Sequence, residues 1–419
     1  MASRVSLHQA YCAGYSTEQG ALSVRILITT DFYLPHITGV TTVVVNERTM
    51  LSHLGHEIRI LTISKSTVGT YADGVYAMKG SAIQPFRDSQ LTFSYNDPLL
   101  EDIYQWKAEV VHSNNEFITM EYARRIAKEL KIPLVHTCHT DFTRYDAEQR
   151  IRHTLYDAMI AQVVRRRVRD CDILISPSLF HKNMLERYRI KNPILVLPSG
   201  IDLQRFAQPI VKEERDRRRL ELGFNEDEFV LISVCRLVAE KRVEQTIDSF
   251  FLLSLLEPKA RLLIVGGGPK EDALKKQVQD LGLDSLVVFT GAVAASEVHI
   301  YYKLADLFVS SSIRESQGLG FVEAMASSLV LLLQEDYSLG LCIEELDIGR
   351  LYDDAHSFVM AVSSLLEKPQ KVKEMGEKAK EVSKRFSLEN WGEKLSGLLK
   401  KSTLDFCYEQ HHRRHDDQR

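Results

Sequence analysis

Glu315 and Glu323 stand eight positions apart in RESQGLGFVEAMASS, residues 314–328, with two glycines between them. Two carboxylates so near in sequence suggest an acid/base or metal pair, yet the run between them suits an anion. ADLFVSSSIRES reads as a strand and a loop, and GFVEAMASS as the first turns of a helix. Glu315 then falls on the loop and Glu323 a turn or so inside the helix. The backbone N–H groups of Ser316, Gln317, Gly318, Leu319 and Gly320 would stand unpaired at the helix N-terminus, where the helix dipole favours negative charge. The two acids would bracket an anion rather than act on each other. A sugar nucleotide has that layout: Glu315 would accept from hexose hydroxyls, the amides would hold the diphosphate, and Glu323 the ribose diol. A glutamate near a helix start can also simply cap it.

A second constellation is CRLVAEKR. Arg236 ends a strand and Lys241 follows five residues later near a helix start. A planar fork and a compact ammonium there would neutralise a diphosphate without a metal, although loop cations are commonly just solvated. In YLPHITGVTTVVV, Gly39 and Val40 lie where the first strand's loop meets a helix, and a glycine there lets backbone approach a ligand or simply makes a turn. LIVGGGPKE places Gly267 in a second glycine turn after a strand. It does not fit G-x-G-x-x-G, because Glu271 stands where the last glycine belongs, and no segment fits the Walker pattern; nicotinamide oxidoreductases and P-loop enzymes fall away.

LVHTCHTDF offers His136, Cys138 and His139. Strand alternation sends His136 and Cys138 to one face and His139 to the other, so these three cannot share one metal without a kink. His139 lies at the strand's end, where it could hydrogen-bond a reacting sugar. Asp170 and Asp172 form an Asp-x-Asp, but at the start of a strand, the wrong end for ligand chemistry. The segment QRIRHTLYDAMIAQVVRRRVRD carries an apolar stripe of Ile151, Leu155, Met159 and Val163. It also carries Arg150, Arg152, Arg165, Arg166, Arg167 and Arg169. A basic amphipathic helix can lie on an anionic membrane, or be a packed helix with a solvated basic face.

The elements that must position these residues alternate. VRILITTDF, HEIRILTI, AEVVHSN, IPLVHTCH, DILISPS and PILVLPSG form one strand series; EFVLISVCRL, RLLIVGGG, LVVFTGA, ADLFVSSS and LVLLLQED form another, with helical patterns between. Alternation implies parallel sheets covered on both faces, and two series imply two α/β domains. The 419 residues, 44% hydrophobic, are long enough for both. The expected divisions are an extension over 1–23 that reads as disordered, an N-terminal Rossmann-like domain over 24–205, and a C-terminal one over 206–385. A returning helix over 386–402 and a polar tail over 403–419 would follow. Ligands of such sheets bind beyond the carboxyl ends of the strands, which here would line a cleft between two facing domains.

No apolar run approaches the roughly 18 residues of a spanning helix, and the first residues lack a signal-peptide core, so a cytosolic protein is expected. The six cysteines make no Cys-x-x-Cys pair, which argues against disulfides and zinc; Cys138, Cys171, Cys235 and Cys342 sit in apolar stretches and read as buried thiols. The net charge of −4 divides unevenly, with 23 Lys+Arg against 20 Asp+Glu in residues 1–200 and 30 against 37 in the rest. A basic first half on an acidic chain hints at an anionic partner for that half.

Taken together, the motifs resemble the retaining glycosyltransferases of family four, which have the GT-B fold. The likeness runs from about Val24 to about Leu399 and rests on Glu315-x7-Glu323 joined to Arg236-x4-Lys241, with the Gly39–Val40 loop, HTCHT, LPSGID and GGGP beside them. The resemblance implies a nucleotide-sugar donor, held mainly by the second domain, and no metal or other cofactor. The Arg and Lys would sit on the diphosphate, the glutamates on hexose and ribose, and His139 near the anomeric carbon. ESQGLGFVEA with Gln317, LPSGI with Ser199, and YYKLADLFVS resemble most the bacterial glucosyltransferases acting on diacylglycerol. That implies UDP-glucose, a lipid acceptor, no nucleic acid, and peripheral docking on the inner face of the plasma membrane through Arg165, Arg166, Arg167 and Arg169. The alternatives are a soluble or polyprenyl-linked saccharide acceptor, or a UDP-sugar epimerase. Ser328 and Val330 stand where relatives commonly have Gly and Pro, which leaves the exact sugar open.

Overall fold

The computed structural model describes residues 23–416 apart from 37, 65, 67, 83–89, 92–96, 141–152, 313–316 and 335–340. The chain divides into two compact units. One comprises residues 1–177, 181–200 and 388–419, the other residues 178–180 and 201–387.

In the first unit the strands are β1 (Arg25–Thr29), β2 (Glu57–Ile63), β3 (Thr70–Ala72), β4 (Val75–Met78), β7 (Val110–Ser113), β8 (Leu134–Thr137), β9 (Ile173–Ser176) and β10 (Ile194–Val196). A separate two-stranded ribbon joins β5 (Ser81–Ala82) to β6 (Gln90–Leu91). The main sheet runs β10-β9-β8-β7-β1-β2-β4-β3, parallel except for the edge strand β3. Central strands such as VVHS and LVHT are buried at every position, as a sheet covered on both faces requires. Chain order reverses at β1, which pairs with β2 on one side and β7 on the other, with Ile26 opposite both Ile58 and Val110. The helix Leu388–Asp416 returns to this unit and sets Trp391, Leu395, Leu398 and Leu399 against Val24, Ile26, Val43 and Val44.

In the second unit the strands are β11 (Phe229–Val234), β12 (Ala260–Val265), β13 (Val287–Phe289), β14 (Leu307–Ser310), β15 (Val330–Gln334) and β16 (Gly349–Tyr352). They run β13-β12-β11-β14-β15-β16, all parallel, which numbered within the unit is the 3-2-1-4-5-6 order of dinucleotide-binding folds. Its reversal lies between β11 and β14. At the amino edge the buried Arg219 guanidinium reaches Asp306 at 2.6 Å, the Leu304 carbonyl at 2.8 Å and the Glu228 carbonyl at 3.2 Å. It thereby locks the helix Lys212–Glu221 to the sheet; removing one partner of such a buried pair costs about 3–5 kcal/mol.

One thiol differs from expectation. Cys342 is exposed, because the chain there is a turn rather than a strand and Ile343 takes the buried place; Cys138 and Cys171 are buried and Cys235 half-buried. Residues 1–22, and with them the expected disordered extension, lie outside the described residues.

Gly376, on the helix Pro369–Ser383, lies so close to the turn after Ala326 that an added Cβ would stand 2.2 Å from the Ser328 carbonyl oxygen. Ser328 is itself held at φ 62° and cannot retreat freely. Gly376→Ala should therefore destabilise the protein by about 1–3 kcal/mol, as overpacking does. An unchanged denaturation midpoint would contradict that close approach.

Candidate active site

The second unit gathers its predicted residues at the carboxyl edge, around the strand reversal. Arg236 follows β11 and is exposed; Lys241 ends a short 3-10 turn, Ala239–Lys241, and is half-buried. The loop after β12 interlocks with this segment. Cys235 N–H donates to Val265, Leu237 N–H to the Gly267 carbonyl at 3.0 Å, and Lys270 N–H back to Leu237. A Cβ on Gly268 would lie 2.4 Å from the Leu237 oxygen, and one on Gly266, at φ 131°, 2.0 Å from that of Cys235. These glycines let two loops meet backbone to backbone, which fixes the stretch that carries Arg236.

Beyond β14, Gln317 and Gly318 are buried and Leu319 is the first residue of the helix Leu319–Ala326. Gly318 caps it at φ 68°, where a Cβ would strike the Phe321 ring at 2.6 Å. No side chain among the described residues caps this helix start. Glu315 and Ser316 lie outside the described residues. Glu323, one turn in, accepts a hydrogen bond from the Tyr302 hydroxyl at 2.8 Å. Burial pushes its carboxyl up to about 7, against the opposing pull of Tyr302 and the Arg205 charge. Tyr302 escaped the sequence reading; the signal available was YYKLAD, an aromatic pair just ahead of a strand.

A cavity of ≈ 660 Å³ in the same unit opens at the other edge, beside Phe229, Asp306 and Leu329; Tyr302 lines it, while Arg236, Lys241, Gln317 and Glu323 do not.

The first unit holds a denser polar network at its own carboxyl edge. Gly39 opens the helix Gly39–His53 and Val40 follows; Thr38 caps it by accepting from Thr41 N–H at 3.1 Å. Gly39 has no positive φ, and nothing among the described residues comes within 4 Å of the place its Cβ would occupy, so neither turn chemistry nor packing explains the glycine. Along that helix Val43, Val44, Glu47 and Leu51 face the core. The buried Glu47 carboxylate bonds His112 Nδ1 with one oxygen and accepts from Asn114 Nδ2 at 3.1 Å with the other. His112 Nε2 pairs with Thr137 Oγ1 at 2.8 Å.

The Asn114 amide is thereby oriented, and its oxygen faces His139 Nε2 at 2.9 Å. An amide oxygen only accepts, so Nε2 carries the proton and Nδ1 is left as an acceptor. Burial drives the His139 pKa down to about 3, with His136, His112 and His181 adding to it and Glu116 opposing. His139 is therefore a neutral ring of fixed tautomer. It can orient a hydroxyl but holds no proton to donate as an acid near pH 7. Glu47 and Asn114 were missed; an acid on the apolar stripe of VVVNERTML was the legible sign.

Of the basic helix, His153–Val168 is described, while Arg150, Ile151 and Arg152 lie outside the described residues, as does the side chain of Leu155. Met159 and Val163 are 54% and 45% exposed, and Arg166 continues their stripe into solvent. Arg165 donates to the Tyr188 carbonyl, Arg167 lies 3.8 Å from Glu121, and Arg169 pairs with Asp170. Asp170 also pairs with Arg124, and Asp172 accepts from Leu134 N–H at 2.8 Å; both stand ahead of β9, away from the carboxyl edge.

The description "Glycosyltransferase Family 4" matches residues 37–205, and "Glycosyl transferases group 1" matches residues 214–382. The chain belongs to glycosyltransferase family 4 and has the GT-B fold of two Rossmann-like domains. It is similar to the alpha-monoglucosyldiacylglycerol synthase of Streptococcus pneumoniae, 31% identical over 89% of this chain and 84% of that one. The enzyme of the same description from Acholeplasma laidlawii is 28% identical over 87% and 94%. Among solved structures, Anabaena HepE in complex with UDP and glucose superposes with a TM-score of 0.67 at 17% identity, covering 90% of this chain and all of that one. Sucrose-phosphate synthase from Thermosynechococcus elongatus gives 0.68 at 19%, covering 90% and 98%. The protein is a glycosyltransferase.

A carboxyl raised to about 7 keeps its proton in the folded chain between about pH 4.5 and 7, where the unfolded chain releases it. The folded state binds more protons there, so this group's contribution to stability falls as pH rises through that window. Glu323→Gln, neutral at every pH, should gain on the wild type by about 3 kcal/mol between pH 4.5 and 8, the advantage growing by roughly 1.4 kcal/mol for each pH step of one within the window. Denaturant midpoints measured across that range test it; parallel curves for the two proteins would rule it out.

Proposed function

We propose that the protein transfers glucose from UDP-glucose to 1,2-diacylglycerol, with retention of anomeric configuration and without a metal at the donor. The observation that carries the reading is the carboxyl edge of the second unit. There an exposed Arg236, a nearby Lys241, an uncapped helix start at Gly318 and the enclosed Glu323 gather about one strand reversal. Two cations and a helix N-terminus suit a diphosphate, and a carboxylate one turn into the helix suits a vicinal diol.

In the reaction the bond from the anomeric carbon to the diphosphate oxygen breaks and one to the acceptor hydroxyl oxygen forms. The hydroxyl proton leaves with the departing diphosphate. Arg236 and Lys241 would stabilise the charge that grows on that leaving group, the work a divalent cation does elsewhere. Glu315, Gln317 and the amide of Leu319 would hold the hexose and the phosphates, and Gly267 would keep the neighbouring loop in place. In the first unit His139, neutral and fixed by Asn114, would orient a sugar hydroxyl, with the open space at Gly39 and Val40 admitting the ligand.

Two relatives described as alpha-monoglucosyldiacylglycerol synthases, together spanning most of the chain, support the lipid acceptor. No described helix is long and apolar enough to cross a membrane. Access to a lipid would come instead through the stripe Met159, Val163 and Arg166, with Arg165, Arg167 and Arg169 beside it, lying on the anionic inner face of the plasma membrane.

The decisive assay incubates the protein with labelled UDP-glucose and vesicles of anionic lipid containing diacylglycerol, in excess EDTA. An α-glucosyl diacylglycerol should form, faster on anionic than on neutral vesicles. Labelled product only on added oligosaccharide would transfer the reading to a soluble acceptor, and activity regained only with magnesium or manganese would end the metal-free donor site.

Donor affinity should depend on the two cations. Each charge-assisted contact contributes about 1.5–3 kcal/mol, so Arg236→Ala and Lys241→Ala should each weaken UDP-glucose binding by roughly ten- to a hundredfold. Calorimetric constants equal to wild type in both variants would remove the pair from the site.

A further inference from the structure

We propose that Glu116, His136 and Cys138 form a buried zinc site in the first unit, independent of the donor-binding groups. One candidate ligand atom from each of the three lies within 4.8 Å of the other two, and the residues are 2%, 0% and 1% exposed. Cys138 follows directly after β8 and shares the cluster with His136, while His139 bonds Asn114 instead. The third ligand is Glu116, delivered by the loop after the neighbouring strand β7.

The hydrogen bonding of the cluster calls for a cation. His136 Nδ1 donates to the Ser113 carbonyl at 3.0 Å, which orients the ring and turns Nε2 inward. This is how proteins orient imidazoles that bind metals. Glu116 accepts from Thr140 Oγ1 at 2.8 Å with one oxygen. Its other oxygen, Oε1, faces His136 Nε2 at 3.6 Å, and neither atom has a hydrogen-bond partner. A buried carboxylate oxygen and a ring nitrogen that face each other without a hydrogen bond leave a place for a positive charge between them.

A proton fits poorly, because a charge-assisted N–H···O bond closes to about 2.7–2.9 Å. The 3.6 Å gap is instead near the nitrogen–oxygen edge of a tetrahedral zinc site, roughly 3.3 Å for bonds of about 2.1 Å. The Cys138 sulfur needs to move inward by about an ångström at most to bond at about 2.3 Å. Burial, with the Glu116 charge behind it, holds that thiol protonated in the absence of a metal, so zinc binding would expel one proton to solvent.

One thiolate, one imidazole and one carboxylate leave a position for water. Since Cys138 and His139 are consecutive and Asn114 lies two residues before Glu116, the metal would brace the two segments that orient His139. That is a structural role, distinct from neutralising the donor diphosphate.

The full chain, produced in zinc-supplemented medium and then passed over a chelating resin, should retain about one zinc per molecule by elemental analysis. Unfolded in chelator and refolded with Co2+, it should show a thiolate-to-cobalt charge-transfer absorption that Cys138→Ala lacks. Wild type that retains and takes up no stoichiometric metal overturns the site and leaves a proton between Glu116 and His136. Should Cys138→Ala not fold, that wild-type measurement still decides. A metal that persists undiminished in the folded variant is held elsewhere and overturns it too.

Discussion

Parallel pairing is the constraint on which the rest depends. A parallel strand cannot return by a tight turn, so each crossover is long, and every strand of the second unit delivers its loop to the same edge. That edge concentrates helix starts, glycine turns and polar side chains, while the strands themselves stay apolar and buried. At the reversal beside β11 the crossovers depart in opposite directions, and the gap so made is where Arg236, Gly318 and Glu323 converge. Interlocked glycines at 266–268 narrow that edge further, since backbone can meet backbone only where no Cβ intervenes.

The two units use this edge differently. In the second, Arg236 faces outward, no side chain among the described residues caps the helix start at Gly318, and Glu323 is raised to about 7. In the first, buried acids are tied into networks. Glu47 holds His112 and Asn114, Asp31 accepts from Thr119 N–H and Oγ1 at 2.8 and 2.7 Å, and one Glu116 oxygen accepts from Thr140 Oγ1 at 2.8 Å. An exposed cation beside a helix start suits a ligand that arrives with charge; groups already satisfied suit a scaffold that must present one ring in one tautomer.

The architecture was legible because buried parallel strands read as continuous apolar runs and their helices as amphipathic segments. The two sheets and the placement of Arg236, Lys241 and Gly318 after particular strands follow from that pattern. What could not be read is partnership across sequence. Glu47 pairs with His112 65 residues away, Glu116 with His136 across two strands, and Tyr302 with Glu323 across a strand and a loop. Spacing along a chain reports a residue's own element and face, not which element lies opposite. Cys342 failed for a simpler reason: an apolar neighbourhood does not say which of its residues turns inward, and there it is Ile343.

Ser328 joins these points in one residue. Its φ of 62° lies in the left-handed region, where a glycine is at ease and a serine costs of order 1 kcal/mol or more. It persists because both sides of the turn are fixed: Leu329 N–H is bonded to Ala324, and Gly376 presses close enough to exclude even a methyl group. The same turn ends the helix that begins at Gly318 and carries Glu323. A rigid end at Ser328 therefore sets the axis along which the helix start points, and the strain is borne at the end of the helix away from Gly318. A glycine at 328 would relieve that strain but loosen the one anchor the eight-residue helix has at its carboxyl end.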